Sequence, residues 1–235
     1  MGFSREMRVN QIQSATSDFS DEHVLNILNG QVLYDEFKNN KIMGDSDYAP
    51  FNEAMCVNAT TRKIFNEEFI KTRAAGHHVL VEDYINNVIA PLNDLFNNTY
   101  TYIILWFGED MFCQMNLLTL LGYLEQSEYR GKVFLNSFRE DEFKVTQTEL
   151  ELGDYFTVYE DVLLNQQKTS VKVIPVMYQA IDLYLMMLED DNPVMRYIKK
   201  NDNLATSELL KRLFDVFPTL GYGDVQYKKL ISKVE

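Results

Sequence analysis

Hydrophobic positions in the first 138 residues fall into short unbroken runs separated by longer stretches of helical period. Tyr102–Phe107 (YIILWF) is apolar throughout, without alternation, which fits a strand covered on both faces of a parallel sheet. After Gly108 the period becomes helical, with Leu117, Leu118, Leu121 and Leu124 on one side and Asp110 placed as N-cap of a helix from about Met111. Val24–Leu28, stopped by Asn29-Gly30, then Val32, Leu33 and Phe37, predicts a second strand–turn–helix. A loop over 44–50 leads into a strand over Phe51–Val57 (FNEAMCV) that carries Glu53, and Lys132–Phe138 supplies a fourth strand. Amphipathic helices are expected over Ile64–Ala75, with Phe65, Phe69 and Arg73, and over Val79–Phe96, where Pro91 divides the pattern.

From Arg139 to Asp161 acids dominate and the pattern turns helical. Helices are expected over 146–164, 171–188 and 207–217, and a last one over 225–233 capped by Asp224, with no further strand. The reading is therefore α/β: a mostly parallel, Rossmann-like sheet with flanking helices over 22–138, followed by an all-helical C-terminal part over 139–235. Residues 1–21, polar and rich in Ser, Gln and Asn, form a flexible lead-in.

Composition narrows the partners. Against 35 acidic residues stand 22 basic ones, a net charge of −13, which opposes attraction to a phosphate backbone or an anionic membrane surface. Nucleic acid is disfavoured, and Lys228, Lys229 and Lys233 in the last helix do not make a basic recognition face. Two cysteines outside any CxxC spacing, and no apolar span of membrane length, suggest a cytoplasmic protein without disulfides or a membrane segment. His77 and His78 are adjacent and point apart on any regular element, so they mark a turn, and no metal site is assigned.

In open α/β sheets, ligands bind where strands end and helices begin, because backbone N–H groups and the positive helix end point there. That places Glu109, Asp110, Cys113 and Gln114 at the central turn, and Asn29 with Gly30 at the first. Glu53, inside an apolar run, needs a partner or a polar site. Glu53, Glu109 and Asp110 together would suit acid–base chemistry, or Mg²⁺ on a phosphorylated substrate; alternatively Asp110 only caps and Glu109 is only solvated. Cys113 in a first helical turn is where a thiolate nucleophile would be stabilised, but no base accompanies it, and a small buried cysteine is the weightier reading. P-loop, GxGxxG, GxSxG and HExxH signatures are absent.

Leu28-Asn29-Gly30, Phe51-Asn52-Glu53 with Met55-Cys56, and Leu105-Trp106-Phe107-Gly108-Glu109-Asp110 with Phe112-Cys113-Gln114 and Asn116-Leu117-Leu118 resemble the bacterial family catalogued as domain of unknown function eighteen-thirty-five. The resemblance covers roughly residues 24–136, and the later segments look like the helical domain that often follows. It implies no defined activity, but it draws attention to Asn29, Glu53, Arg73, Asp110, Gln114 and Asn116 as recurrent polar positions. Gln31 and Asn52 depart from the pattern, where an aspartate and an arginine are usual.

Two functions follow as expectations. One is a small-ligand-binding α/β domain acting on a phosphorylated or nucleotide-like molecule, with Glu53, Glu109 and Asp110 as catalytic candidates and Asn29, Gly30, Arg73, Gln114 and Asn116 contacting ligand. The other is a non-enzymatic interaction or regulatory protein that binds a protein partner, or a second copy, through its acidic surface and C-terminal helices. No cofactor is named.

Overall fold

The computed structural model describes residues 12–13, 19, 23–97, 99–139 and 144–234. Five strands form one sheet: β1 (Val24–Asn29), β2 (Asp47–Phe51), β3 (Tyr102–Gly108), β4 (Lys132–Arg139) and β5 (Lys144–Leu150), in the order β2-β1-β3-β4-β5. The first four run parallel, and β5 returns antiparallel on β4. The fold is thus α/β with a mostly parallel sheet. From β1 the chain builds β2 on one side, then crosses back to lay β3 on the other, so the direction of building reverses between β1 and β3.

Side-chain alternation sorts the sheet into two faces. Leu25, Ile27, Leu105 and Phe107 point into the larger core, while Leu28, Ile104, Trp106 and Phe134 point into a smaller one. The smaller core is closed by α1 (Gln31–Asn39) through Phe37, by Ile42, and by Ile12 from the N-terminal segment. Phe19 also packs there, its ring 4.5 Å from that of Tyr102 and 5.2 Å from that of Phe134. The expected lead-in therefore supplies core contacts at Ile12 and Phe19; most of the rest of residues 1–21 lies outside the described residues.

On the larger face lie α2 (Glu67–His77), α3 (Val81–Tyr84) and α4 (Asn93–Asn97), the last two joined through a π turn (Ile85–Ile89) and a 3-10 turn (Ala90–Leu92). Pro91 lacks the N–H that an α-helix would need there, and the expected break falls at this proline. The central helix α5 (Met111–Gln126) is buried nearly all round, at Met111, Gln114, Met115, Asn116 and on through Leu124, rather than on the single face its leucines suggest. A helix apolar on every side must be covered on every side. The outer cover is α6 (Tyr155–Tyr159), running into a π turn (Glu160–Leu164), and α7 (Pro175–Met187). Gly122 permits this approach, since a Cβ there would lie 3.2 Å from the Tyr159 Cβ and 3.3 Å from the Ile64 Cδ1. The Glu125 carboxylate fixes the entry to α6 by accepting from the amides of Gly153, Tyr155 and Phe156, the latter two at 2.9 and 2.8 Å. α8 (Pro193–Lys200), α9 (Thr206–Val216), a 3-10 turn (Pro218–Leu220) and α10 (Asp224–Ile231) complete the chain.

Three expectations are corrected. Residues 146–164 do not form one helix: Lys144–Leu150 is a strand, because alternating Val145, Gln147 and Glu149 pair with Phe138, Asn136 and Phe134 on β4. The sheet therefore continues beyond residue 138, and the described elements are all helical only from Tyr155 on. The strand expected over 51–57 lies earlier, at Asp47–Phe51, and Glu53 follows it in a buried loop. Finally, Gly223 rather than Asp224 is the N-cap of α10; Asp224 sits in the first turn and pairs with Lys228 at 2.7 Å.

Candidate functional site

The C-terminal ends of β1, β2 and β3 meet above the reversal point of the sheet, where a ligand crevice is expected in this architecture. Asn29 ends β1, and Gly30 caps α1 with a φ of 94° that favours glycine. Its amide donates to the Phe51 carbonyl at 3.1 Å, which ties the first turn to β2. Asp110 caps α5 as expected, accepting from the Cys113 amide at 2.8 Å.

Several predicted residues are joined here by one hydrogen-bond chain. Asn29 donates through Nδ2 to the Cys113 sulfur at 2.9 Å and accepts through Oδ1 from Asn116 Nδ2, also at 2.9 Å. Asn116 donates again to the Glu53 carbonyl at 2.6 Å and accepts from the Met55 amide at 2.8 Å. Burial, followed by the Asp110 charge and hydrogen bond, pushes the Cys113 thiol well above its ordinary range, so it stands as a neutral group between Asp110 and Asn29. This agrees with a small buried cysteine rather than a thiolate nucleophile. Gln114 donates to the Gly108 carbonyl at 2.7 Å, while its own Oε1 is buried without a hydrogen-bond partner among the described residues.

Glu53 and Arg73 form a separate knot beneath the crevice. Their side chains are 1% and 0% exposed, with Nη2 2.7 Å from Oε1 and Nε 3.2 Å from Oε2. His77 Nε2 lies 2.7 Å from the same Oε1, the Ala54 amide donates to it at 2.7 Å, and the Tyr84 hydroxyl donates to Oε2. The remaining Arg73 donors reach the carbonyls of Ala54, Val57, Asn58 and Ala59, at 2.9, 2.7, 3.2 and 3.1 Å. Burial alone would raise the Glu53 pKa, but the His77 hydrogen bond and the Arg73 charge outweigh it and hold the carboxyl far below the usual carboxylate range. Both side chains are thereby saturated. They lock the 53–59 loop rather than face a ligand.

Glu109 points elsewhere, accepting from Ser137 Oγ at 3.3 Å beside β4, so the three carboxylates named as catalytic candidates do not converge. Among the described residues, no three His, Cys, Asp or Glu side chains group as metal ligands.

The C-terminal segment closes the crevice from above, which no local pattern announces. Gly221 has a φ of 66°, and a Cβ on it would fall 1.9 Å from Asp110 Oδ1. A Cβ on Gly108 would fall 2.9 Å from Asp110 Oδ2 and 3.1 Å from the Cys113 sulfur. The Asp110 carboxylate therefore lies between two glycines from distant parts of the chain. Tyr222, Tyr184 and Cys56 are buried, and the Cys56 charge acts on both tyrosines. Burial, then the Cys56 charge, pushes Tyr184 up to about 12, and the same causes raise Tyr222 further.

His77 and Tyr84 are the partners of Glu53 that sequence reasoning misses. His77 is four residues after Arg73, one helical turn on the same face, and that spacing was the available signal. Compared with protein-family models, curated proteins and solved structures, the chain matches none. Among the described residues no helix is long and apolar enough to cross a membrane.

Proposed function

We propose that this chain binds a small polar ligand in the crevice above β1 and β3, between the Gly108–Gln114 turn and the Gly221–Gly223 turn. The observation that carries the reading is the meeting of Asn29, at the end of β1, with Asp110, Cys113 and Asn116, at the start of α5, at the point where the sheet reverses its building direction. The partnerless Oε1 of Gln114 adds support, because a buried acceptor without a donor calls for a water or a ligand group.

Binding is favoured over turnover. Glu53 is saturated by Arg73, His77, Tyr84 and the Ala54 amide, and Asp110 is engaged as a helix cap. Arg73, the expected cation for a phosphorylated or nucleotide-like ligand, is occupied by Glu53 and four carbonyls, which weakens the phosphate version of this reading. The strand order supports a Rossmann-like description with accessory C-terminal helices, and the motif resemblance supports a place in the bacterial family of unknown function. Two unpaired cysteines agree with a cytoplasmic setting.

The test is a thermal-shift screen against nucleosides, nucleotides, sugar phosphates, amino acids and divalent cations, repeated on Asn29→Ala. A ligand at ~100 times its dissociation constant adds about 2.7 kcal/mol, or roughly 5–10 °C for a chain of this size. A shift that Asn29→Ala abolishes is expected, and a flat screen would refute the reading.

A second reading, protein interaction, draws on the exposed Tyr178, Leu188, Phe214, Val216 and Val225 of the C-terminal helices. Deleting those helices would strip α5 of its cover, so Phe214→Ser with Val225→Ser in the full chain is the suitable probe. Loss of a captured partner in that variant supports it, and full retention counts against it.

A further inference from the structure

The hydrogen bonds that link β1 to α5 all run in one direction. The Met55 amide donates to Asn116 Oδ1 at 2.8 Å, Asn116 Nδ2 to Asn29 Oδ1 at 2.9 Å, Asn29 Nδ2 to the Cys113 sulfur at 2.9 Å, and the Cys113 thiol to Asp110. The chain therefore ends on a carboxylate, with its side-chain donors already spent. Asp110 also accepts from the Cys113 amide at 2.8 Å, and among the described residues no Lys, Arg or His side chain pairs with it. One turn into α5, Gln114 is fully buried, donates through Nε2 to the Gly108 carbonyl at 2.7 Å, and keeps Oε1 without a partner. What the side chains of this turn leave unspent is acceptor capacity, one charged and one neutral. Glu109, exposed beside them, adds negative potential. A phosphate or carboxylate set there would meet like charge with no cation to offset it, since Arg73 is occupied by Glu53 and four carbonyls. The opening amides of α1, which no side chain caps, stand one strand away at the end of β1 and bring no formal charge.

We infer that the ligand of this crevice carries a primary ammonium group, which pairs with Asp110 at the Gly108 turn, where Gln114 supplies a second acceptor. The inference rests on the crevice being the binding site and names the chemistry that the site selects. An ammonium brings three N–H donors together with the missing positive charge, so one group answers both acceptors, and a charge-assisted hydrogen bond is roughly twice as strong as a neutral one. A hydroxyl would satisfy the geometry but leave Asp110 without a counter-charge. A divalent cation fits less well, because one carboxylate and one amide oxygen fall short of the about six oxygen ligands such ions take, and no metal-ligating trio groups among the described residues.

The experiment is a matched-pair thermal-shift screen of the full chain in an amine-free buffer. The probes are the α-amino acids, ethanolamine, glucosamine and putrescine, each beside its N-acetylated form, with inorganic phosphate, nucleotides, sugar phosphates and Mg²⁺ as references. Wild type, Asp110→Asn and Asn29→Ala are compared; Asp110→Asn keeps an acceptor for the Cys113 amide and so preserves the cap of α5. At least one free amine should raise the melting temperature while its N-acetylated partner does not. Asp110→Asn should weaken that amine at least about tenfold in a calorimetric titration, the share of one charge-assisted hydrogen bond. N-acetylated forms acting as well as the free amines would overturn the inference, and that comparison on the wild type decides the matter alone if Asp110→Asn does not fold. An amine shift that Asp110→Asn leaves unchanged would overturn it as well. A shift by a phosphate compound or Mg²⁺ that Asn29→Ala abolishes, with every amine silent, would overturn the ammonium while leaving the crevice as the binding site. Silence from every compound would remove the site itself, so the two failures are distinguishable.

Discussion

Replacing Glu53 by glutamine separates a structural knot from a catalytic carboxylate. The change removes one negative charge from a group that accepts from Arg73 Nη2 and Nε, His77, Tyr84 and the Ala54 amide, and sets an NH₂ donor against existing donors. The Arg73 guanidinium, fully buried, loses its counterion. Breaking such a buried pair from one side costs about 3–5 kcal/mol, equivalent to roughly 6–20 °C in melting temperature here. Urea denaturation at neutral pH measures it directly. Adding Arg73→Met should restore part of the loss, because the uncompensated charge goes with it. The acid limb of the pH profile carries the same information. The folded Glu53 pKa lies below its unfolded value, so its contribution is fully present above the unfolded pKa and lost as pH falls below it toward the folded value. The wild type should therefore weaken more steeply below about pH 4–5 than Glu53→Gln does. A Glu53→Gln protein within about 0.5 kcal/mol of wild type, with a parallel acid limb, would refute the structural assignment.

Asp110→Ala should cost about 1–2 kcal/mol by removing the cap of α5, whereas Asp110→Asn keeps an acceptor for the Cys113 amide and should lose only a few tenths; paired urea titrations compare them. Trp106, the single tryptophan and 1% exposed, donates to Asn26 Oδ1 at 2.9 Å. Its emission should be blue-shifted and resistant to acrylamide in the native state, and Trp106→Phe should cost about 1–3 kcal/mol through the orphaned acceptor; easy quenching of the native protein would contradict this placement.

Local signals explain what the sequence disclosed. The Tyr102–Phe107 run, the Asp110 cap, the Asn29-Gly30 turn and the Pro91 break each depend on neighbours within a few positions, and each stands where its pattern put it. Residues 53–57 are apolar enough to resemble a strand in local pattern alone. They form a buried loop instead, whose carbonyls and amides are satisfied by Arg73 and Asn116, partners that sequence proximity cannot supply. The strand Lys144–Leu150 was hidden by its acidic surroundings, since an edge strand with one wet face needs few apolar residues. The crevice was legible from β1 and β3, but its cover was not: nothing near Gly221 foretells that it rests on Asp110.

The two outer strands of the sheet also bear on how this protein behaves at high concentration. An open edge of unpaired backbone groups is a template for a neighbouring chain. Here one edge is β2, where Pro50 offers no N–H and Asp47 is exposed; the other is β5, whose Thr146, Thr148 and Glu149 are exposed and whose Glu149 pairs with Lys132 at 3.1 Å. A missing donor on one side and a polar, charged rim on the other make strand-to-strand stacking between molecules unfavourable. Substitutions such as Pro50→Val or Glu149→Val would remove those guards, and the first sign of their loss would be turbidity rather than a lower melting point.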